Sequence, residues 1–322
     1  MKKEISYLET IKAIDECKKH FESQLSTRLG LTKVQSPIFV KTSTGLQDKL
    51  SGVEEAVSFT KDDEKFEIVH SLAKWKRVSL ARYQIPMHQG IYTDMQAIRK
   101  DDEIDDIHSL FVEQWDWEKV IGKEDRTIDY LKETVKSIYK AIRQTSILMK
   151  KKYHYLTLDL PKSIFFITSQ ELEDMFPEKT PEEREQLIGK EKKAVFIIGI
   201  GEKLKSGKPH DKRSPDYDDW KMDGDLLIYD KTIDKTIEIS SMGIRVDEKS
   251  LKEQLEKSGC MDRAKLPYHQ MILKKELPLS IGGGIGPSRI LMLILEKKHI
   301  AEVQASAWDK KTESELKGMK IL

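Results

Sequence analysis

Residues 97–118 read as two strands around a polar loop, and other strand candidates lie beside one another instead of alternating strictly with helices. These candidates are 32–40, the start of 66–75, 164–168, 194–200, 226–229, 236–239 and 302–307. Apolar residues at helical spacing run through Leu8, Ile11, Ile14, Phe21, Leu25 and Leu29, with Gly30 as the expected C-cap. A second long helix is predicted over 127–152, carrying Ile128, Leu131, Val135, Ile138, Ile142 and Leu148 on one side. Shorter helices are predicted at 181–192, 247–258 and 286–297. A strand count above what crossover helices would serve favours an α+β fold, an antiparallel β-sheet core flanked by helices. Pro37 has no N–H to give a sheet, which marks an edge, a bulge or a subunit boundary. With no repeat, low-complexity tract or linker, one domain spanning residues 1–322 is expected.

Charge is dense but balanced, 56 basic residues against 55 acidic for a net +1. No basic field points to nucleic acid or an anionic membrane. Cys17 and Cys260 are too few for a disulfide framework or a four-cysteine zinc site, which fits a reducing compartment. The N-terminus, Met1-Lys-Lys-Glu-Ile-Ser, lacks an apolar core, and no apolar run nears the roughly 20 residues a bilayer requires. A soluble, cytoplasmic protein is expected.

The opening segment also concentrates chemistry. Arg99 offers a planar fork to phosphate oxygens, then come acids, His108, and a run in which Gln114 and Asp116 alternate with Trp115 and Trp117. A nucleotide triphosphate site and an ordinary hairpin with a charged loop fit this segment equally. Five other stretches stand out. Thr44-Gly-Leu-Gln47-Asp48-Lys-Leu-Ser51-Gly52 presents one acid in what is otherwise a turn. His70-Ser71-Leu-Ala-Lys74-Trp-Lys76-Arg77 offers cations to a carboxylate, or is a helix end with solvated charges. Arg213-Ser-Pro-Asp216-Tyr217-Asp218-Asp219-Trp220 suits an ammonium group or a metal, or a turn drawn inward by its rings. Calcium fits it less well, because the loop spacing and distal glutamate are missing. Asp225 with Glu238-Ile-Ser240-Ser241-Met-Gly243-Ile-Arg245 suits a hard cation facing phosphates, plus a carboxylate clamp, or is a charged strand end. Ile281-Gly-Gly-Gly284-Ile-Gly286-Pro-Ser-Arg289 lets backbone approach a ligand ahead of a helix N-terminus. It lacks the acid about 20 residues on that a dinucleotide-binding loop would carry.

Together these segments resemble the class II aminoacyl-tRNA synthetase catalytic core. The helix ending at Gly30 and the strand through Pro37 are similar to its first motif, Arg99 with Phe111–Asp116 to its second, and Gly282–Arg289 to its third. A longer match, through His70–Arg77, Glu113–Glu118, Pro215–Trp220, Ser240–Asp247 and Ile281–Gly286, resembles ammonia-dependent asparagine synthetase, the aspartate–ammonia ligase family. Two departures are Pro287, where some members carry glutamine, and a shorter stretch between Trp220 and Gly224.

The resemblance implies ATP-dependent amidation of aspartate through β-aspartyl-AMP, with Mg²⁺ and with ammonia as nitrogen donor. Neither cysteine has a glutaminase context, and position 2 is Lys. By resemblance Asp48, Arg99 and Gln114 are catalytic. Ser71, Lys76, Asp116, Asp218, Ser241 and Arg245 would hold aspartate. Arg99, His108, Ser109, Val112, Glu238, Gly284 and Arg289 would hold the nucleotide, and Asp225 and Glu238 the metal. Residues 1–40 would carry a homodimer interface. The expected partners are aspartate, ATP and ammonia, without nucleic acid or membrane. A truncated aspartyl- or asparaginyl-tRNA synthetase and a non-catalytic nucleotide or aspartate sensor are the competing readings.

Overall fold

A computed structural model describes residues 6–50 and 54–322; residues 1–5 of the N-terminal reading and Ser51 and Gly52 of the acid-bearing turn lie outside the described residues. Helix α1 (Tyr7–Leu29) starts at Ser6, whose hydroxyl and Glu9 form a reciprocal capping box. It ends at Gly30, where φ of +69° suits a residue without Cβ. The predicted strand 32–40 is instead two short strands in different sheets. β1 (Leu31–Lys33) joins the large sheet, while β2 (Phe39–Lys41) pairs with β4 (Glu64–Ile68), itself paired with β3 (Ser58–Lys61). Pro37 lies between them, where no ladder needs its missing N–H.

Next come α2 (Ala73–Arg82), the hairpin β5 (Gly90–Ile98) and β6 (Phe111–Val120), and the long helix α3 (Ile128–Lys152), capped by Thr127. Then β7 (Phe165–Thr168), α4 (Ser169–Met175), α5 (Pro181–Lys192) and β8 (Ala194–Ile198) lead to the longest hairpin. Its strands are β9 (Asp218–Asp230) and β10 (Lys235–Arg245). After α6 (Glu248–Lys257) and α7 (Pro267–Leu273), the glycine run forms β11 (Ser280–Ile285), followed by α8 (Pro287–Leu295) and α9 (Lys310–Glu315). The strand expected over 302–307 is absent; a 3₁₀ turn at Ile300–Glu302 precedes irregular backbone there.

The large sheet runs β1-β5-β6-β11-β10-β9-β8-β7. It is mixed, which corrects the expectation of an antiparallel sheet. β5 through β8 are antiparallel neighbours, but β1 joins β5 and β7 joins β8 in parallel. Parallel neighbours need a crossover, and α4 and α5 supply it between β7 and β8. One sheet face is covered by α1, α3 and α8, which bury Phe21, Leu25, Trp115, Trp117, Ile138, Ile142 and Leu291. On the other face α4 packs over β7 and α5 over β8, β9 and β10, and α2 packs over β5, β6 and β11. The polar site lies between those two covers.

Candidate active site

Four neighbouring strands present their polar residues to this uncovered stretch. On β6 the side chains of Gln114, Asp116 and Glu118 share one face, while Trp115 and Trp117 enter the core. On β10 a register shift between Glu238 and Ser240 brings Glu238 onto the same face as Ser241, which is directly opposite Asp225 on β9. Between β6 and β10 lies β11, whose Gly282 and Gly284 leave the space that long side chains from both neighbours fill. A Cβ on Gly282 would stand 2.0 Å from Glu118 Oε2 and 2.6 Å from an Arg245 nitrogen, and one on Gly284 would stand 2.5 Å from Gln114 Oε1.

Two adjoining clefts result. One is lined by Asp48, Ser71, Lys76, Arg99, Gln114, Asp116, Asp218, Glu238, Ser241, Arg245 and Gly284, all read from the sequence, together with Arg213 and Tyr217. The other is lined by Arg99, His108, Ser109, Val112, Gln114, Glu238, Gly284 and Arg289, together with Gln304. Arg99, Gln114, Glu238 and Gly284 form the wall common to both. Arg99, Arg245 and Arg289, 190 positions apart at the extremes by their numbers, thus converge. Asp225 alone among the predicted residues lines neither cleft; it is buried behind Ser241.

The first cleft is a nest of buried, paired charges. Lys76 Nζ lies 2.5 Å from Asp116 Oδ1 and 3.0 Å from the Gly283 carbonyl. Burial lowers the Lys76 ammonium below its ordinary range, with the Asp116 carboxylate opposing the shift. Arg245 donates Nε to Glu118 at 3.0 and 3.1 Å, a terminal nitrogen to the same carboxylate at 2.7 Å, and its other nitrogen to Asp218. The guanidinium holds Glu118 below the usual carboxylate range although complete burial pushes the other way. Arg213 reaches Asp218 Oδ2 at 3.2 Å. Asp48 accepts from Ser71 Oγ at 2.7 Å and from the Leu50 N–H at 2.9 Å.

In the second cleft Arg289, in the first turn of α8, donates to the Glu238 carbonyl at 2.9 Å. Arg99 donates to the His70 carbonyl at 3.1 and 3.3 Å, so His70 holds the shared wall in place. The Ser109 hydroxyl is buried 2.6 Å from both the Phe111 carbonyl and Gln304 Oε1. His108 Nδ1 lies 2.8 Å from Asp105. Pro287 occupies the first helical position of α8, where a missing N–H costs nothing within the helix. The stretch between Trp220 and Gly224 is part of β9, so its shortness leaves no extra loop over the cleft.

Burial pushes the Asp225 carboxyl well above the usual range, and the neighbouring Glu238 charge adds to that shift. Asp225 Oδ1 is buried with no hydrogen-bond partner. Among the described residues no group of three or more His, Cys, Asp or Glu is arranged to hold a metal. An orphaned carboxylate oxygen beside a second acid nonetheless fits a magnesium ion, which takes one or two carboxylates and completes its shell with phosphates and water. Glu118, Arg213 and Tyr217 were missed in the sequence as site residues. The alternation that singles out Gln114 and Asp116 also places Glu118 on their face, and was the available signal.

A sequence profile of the aspartate–ammonia ligase family matches residues 8–320. The chain belongs to that family. Among curated relatives, the aspartate–ammonia ligase of Clostridium tetani is 52% identical over 100% of this chain and 96% of its own length. That of Lactobacillus johnsonii is 54% identical, covering 93% and 90%, and that of Fusobacterium nucleatum 53%, covering 98% and 97%. The chain is therefore an enzyme of the aspartate–ammonia ligase class. Among solved structures, asparaginyl-tRNA synthetase from Pyrococcus horikoshii, complexed with asparaginyl-adenylate, aligns with TM-score 0.66 and 15% identity over 91% of this chain and 67% of that one. Aspartyl-tRNA synthetase from Entamoeba histolytica aligns with TM-score 0.60 and 16% identity over 94% and 58%. At that identity the likeness shows the class II synthetase catalytic fold.

Proposed function

We propose that this enzyme makes asparagine in two steps: ATP adenylates the β-carboxylate of aspartate with loss of pyrophosphate, then ammonia displaces AMP. The observation that carries this reading is the wall of Arg99, Gln114, Glu238 and Gly284 shared by an amino-acid-sized charged cleft and its neighbour. Two substrates on either side of one wall can be aligned, and alignment with charge neutralisation is most of what adenylate formation needs.

Aspartate's head group enters a cleft whose charges are already paired. Its α-carboxylate takes Lys76 and Arg245, and its α-ammonium takes Asp116 and Asp218. Ion pairs exchange partners, and no buried charge is left alone. Ser71 and Ser241 assist by hydrogen bonding. Only the β-carboxylate is left over, directed by Gln114 toward the α-phosphate, where Arg99 stabilises developing charge. His108 and Arg289 steady the outer phosphates, while Ser109, Val112 and Gly284 shape the nucleotide cleft. A magnesium ion, when bound by Asp225 and Glu238, supplies neutralisation of phosphate charge. In the second step Asp48 takes a proton from ammonium. The freed nitrogen lone pair attacks the acyl carbon, the acyl–oxygen bond breaks with its electrons leaving on AMP, and the nitrogen gives a second proton to water to leave the neutral amide.

We further infer that the enzyme is a cytoplasmic homodimer of single-domain chains pairing through residues 1–40. Tyr7, Leu8 and Ile11, about half exposed on α1, support such a pairing surface. No helix among the described residues is long and apolar enough to cross a membrane. The tRNA-charging alternative draws on shared fold alone, and the sensor alternative leaves the full set of facing charges without a use.

The test is product analysis with ATP, Mg²⁺, aspartate and ammonium. AMP and asparagine are expected in equal amounts, each dependent on both aspartate and ammonium, with asparagine identified by mass. ADP with inorganic phosphate would overturn the adenylate route.

A further inference from the structure

We propose that the buried pair Lys74–Asp216 is a positioning device for Asp48, fixing the backbone from which that carboxylate is presented to the aspartate cleft. The inference rests on the reading of Asp48 as the base of the second step.

Lys74 and Asp216 line neither cleft, and both are almost wholly buried. Lys74, in the first turn of α2, reaches with Nζ to Asp216 Oδ2 and to the Gln47 carbonyl, each at 2.9 Å. The same Asp216 carboxylate accepts from Ser214 Oγ at 2.8 Å, His269 Nε2 at 3.0 Å and Arg263 at 3.3 Å. A buried ion pair contributes little net stability against a well-packed apolar substitute, so its presence invites a role in conformational specificity.

What the pair fixes is the peptide unit between Gln47 and Asp48. Its carbonyl receives Lys74, and its N–H donates to the Gln47 side-chain oxygen at 3.1 Å. Gln47 is anchored in turn, donating to the Ile68 carbonyl at 2.7 Å and accepting from the His70 N–H at 3.1 Å. The following carbonyl, that of Asp48, lies 3.1 Å from His70 Nδ1, which must donate there because a carbonyl only accepts. Upstream, Gly45 has φ of +74° and lies against α7, where a Cβ would stand 2.9 Å from that of Leu266. The loop before Asp48 therefore rests on α7, which also supplies His269 to Asp216. Lys74 ties this seat to α2, the helix that carries Lys76 into the cleft. The base and the substrate clamp are thus held on one frame.

Lys74→Met retains the apolar stem and leaves Asp216 with Ser214, His269 and Arg263, so a folded protein is expected. A displacement of the base of about 1 Å can cost up to about 10²-fold. Asparagine formation by Lys74→Met should fall about 10-fold or more. Aspartate-dependent ATP–pyrophosphate exchange and the KM for aspartate should stay within about twofold, because the clamp itself is untouched. In the double variant with Asp48→Asn, asparagine formation should be no slower than with Asp48→Asn alone, since Lys74 acts through Asp48. Multiplying losses would overturn the proposal, as would equal loss of exchange and amide formation in Lys74→Met. Failure of the underlying reading has a separate signature: Asp48→Asn by itself losing both half-reactions equally. Should Lys74→Met not fold, Asp216→Asn keeps the Lys74 bond to Gln47 while weakening its anchor. It must then show the same split between half-reactions, and no split would overturn the assignment.

Discussion

A methyl group at Gly282 would collide with Glu118 and Arg245 together, at 2.0 and 2.6 Å. Neither can retreat cheaply, because Glu118 is also held by Ser280 Oγ at 2.7 Å and Arg245 by Asp218. Gly282→Ala is therefore expected to raise the KM for aspartate at least tenfold and to cost about 1–3 kcal/mol of stability, a typical overpacking penalty. Kinetics and urea unfolding check both, and unchanged values would show that Arg245 does not rely on this space. Glu118→Gln tests the same pair from the other side. Removing one partner of a buried ion pair typically costs about 3–5 kcal/mol, so its midpoint of unfolding should drop clearly. An unshifted midpoint would contradict the pairing. At this scale the sequence was legible wherever the polar residue sits in a dense local pattern, as Gln114 and Asp116 do between two tryptophans. Glu118, Arg213 and Lys74 were not assigned roles, because what defines Glu118 and Lys74 is a partner more than a hundred positions away, Arg245 and Asp216. Arg213 counts only because the fold turns it onto Asp218.

Among the elements, β9 and β10 extend well past the apolar stretches 226–229 and 236–239 that reveal them in the sequence. Where one strand face lines a charged cleft, hydrophobic periodicity fades, and Asp218, Asp223, Asp225 and Arg245 conceal the strand they occupy. β11 is hidden for another reason. Three successive glycines have low strand propensity, yet the sheet accepts them because bulkier residues there would fill the space its neighbours use. The helices α1 and α3 were legible from apolar residues at helical spacing, although Leu8, Ile11 and Leu148 of that pattern are exposed and the buried side of α1 begins with Thr10, Ala13 and Cys17. A strand was expected at 302–307, but the chain turns there as a 3₁₀ helix at Ile300–Glu302 and continues as irregular backbone. The tight centre of the sheet gives a prediction of its own. A Cβ on Gly224 of β9 would lie 2.1 Å from the Ile197 carbonyl oxygen of β8, and backbone cannot yield as a side chain can. Gly224→Ala is expected to lower stability by about 3 kcal/mol or more, read as a lower urea midpoint at unchanged slope. A wild-type midpoint would mean β8 and β9 are not so closely apposed.

Across the whole molecule, buried ion pairs link stability to pH. The guanidinium of Arg245 depresses Glu118, and Lys74 with His269 depresses Asp216, in each case against burial. A carboxyl depressed on folding binds fewer protons folded than unfolded. Its contribution is complete above the ordinary values of 4.5 for Glu118 and 3.8 for Asp216, and is lost as pH falls through the depressed ones. Asp223 is raised by burial and gains from protonation, so the net loss is confined to pH below about 4. The Tm should fall steeply between about pH 4 and pH 2, and a Tm that holds or rises there would contradict the buried pairing. The central claim concerns chemistry, that two clefts sharing one wall bring aspartate's distal carboxylate to the α-phosphate. The most direct measurement uses aspartate carrying ¹⁸O in its β-carboxylate, with ammonium and ATP, followed by mass spectrometry of the phosphates. One ¹⁸O in the phosphate of AMP is predicted, because the acyl–oxygen bond breaks when ammonia attacks. Label in inorganic phosphate, with unlabelled nucleotide, would contradict the account.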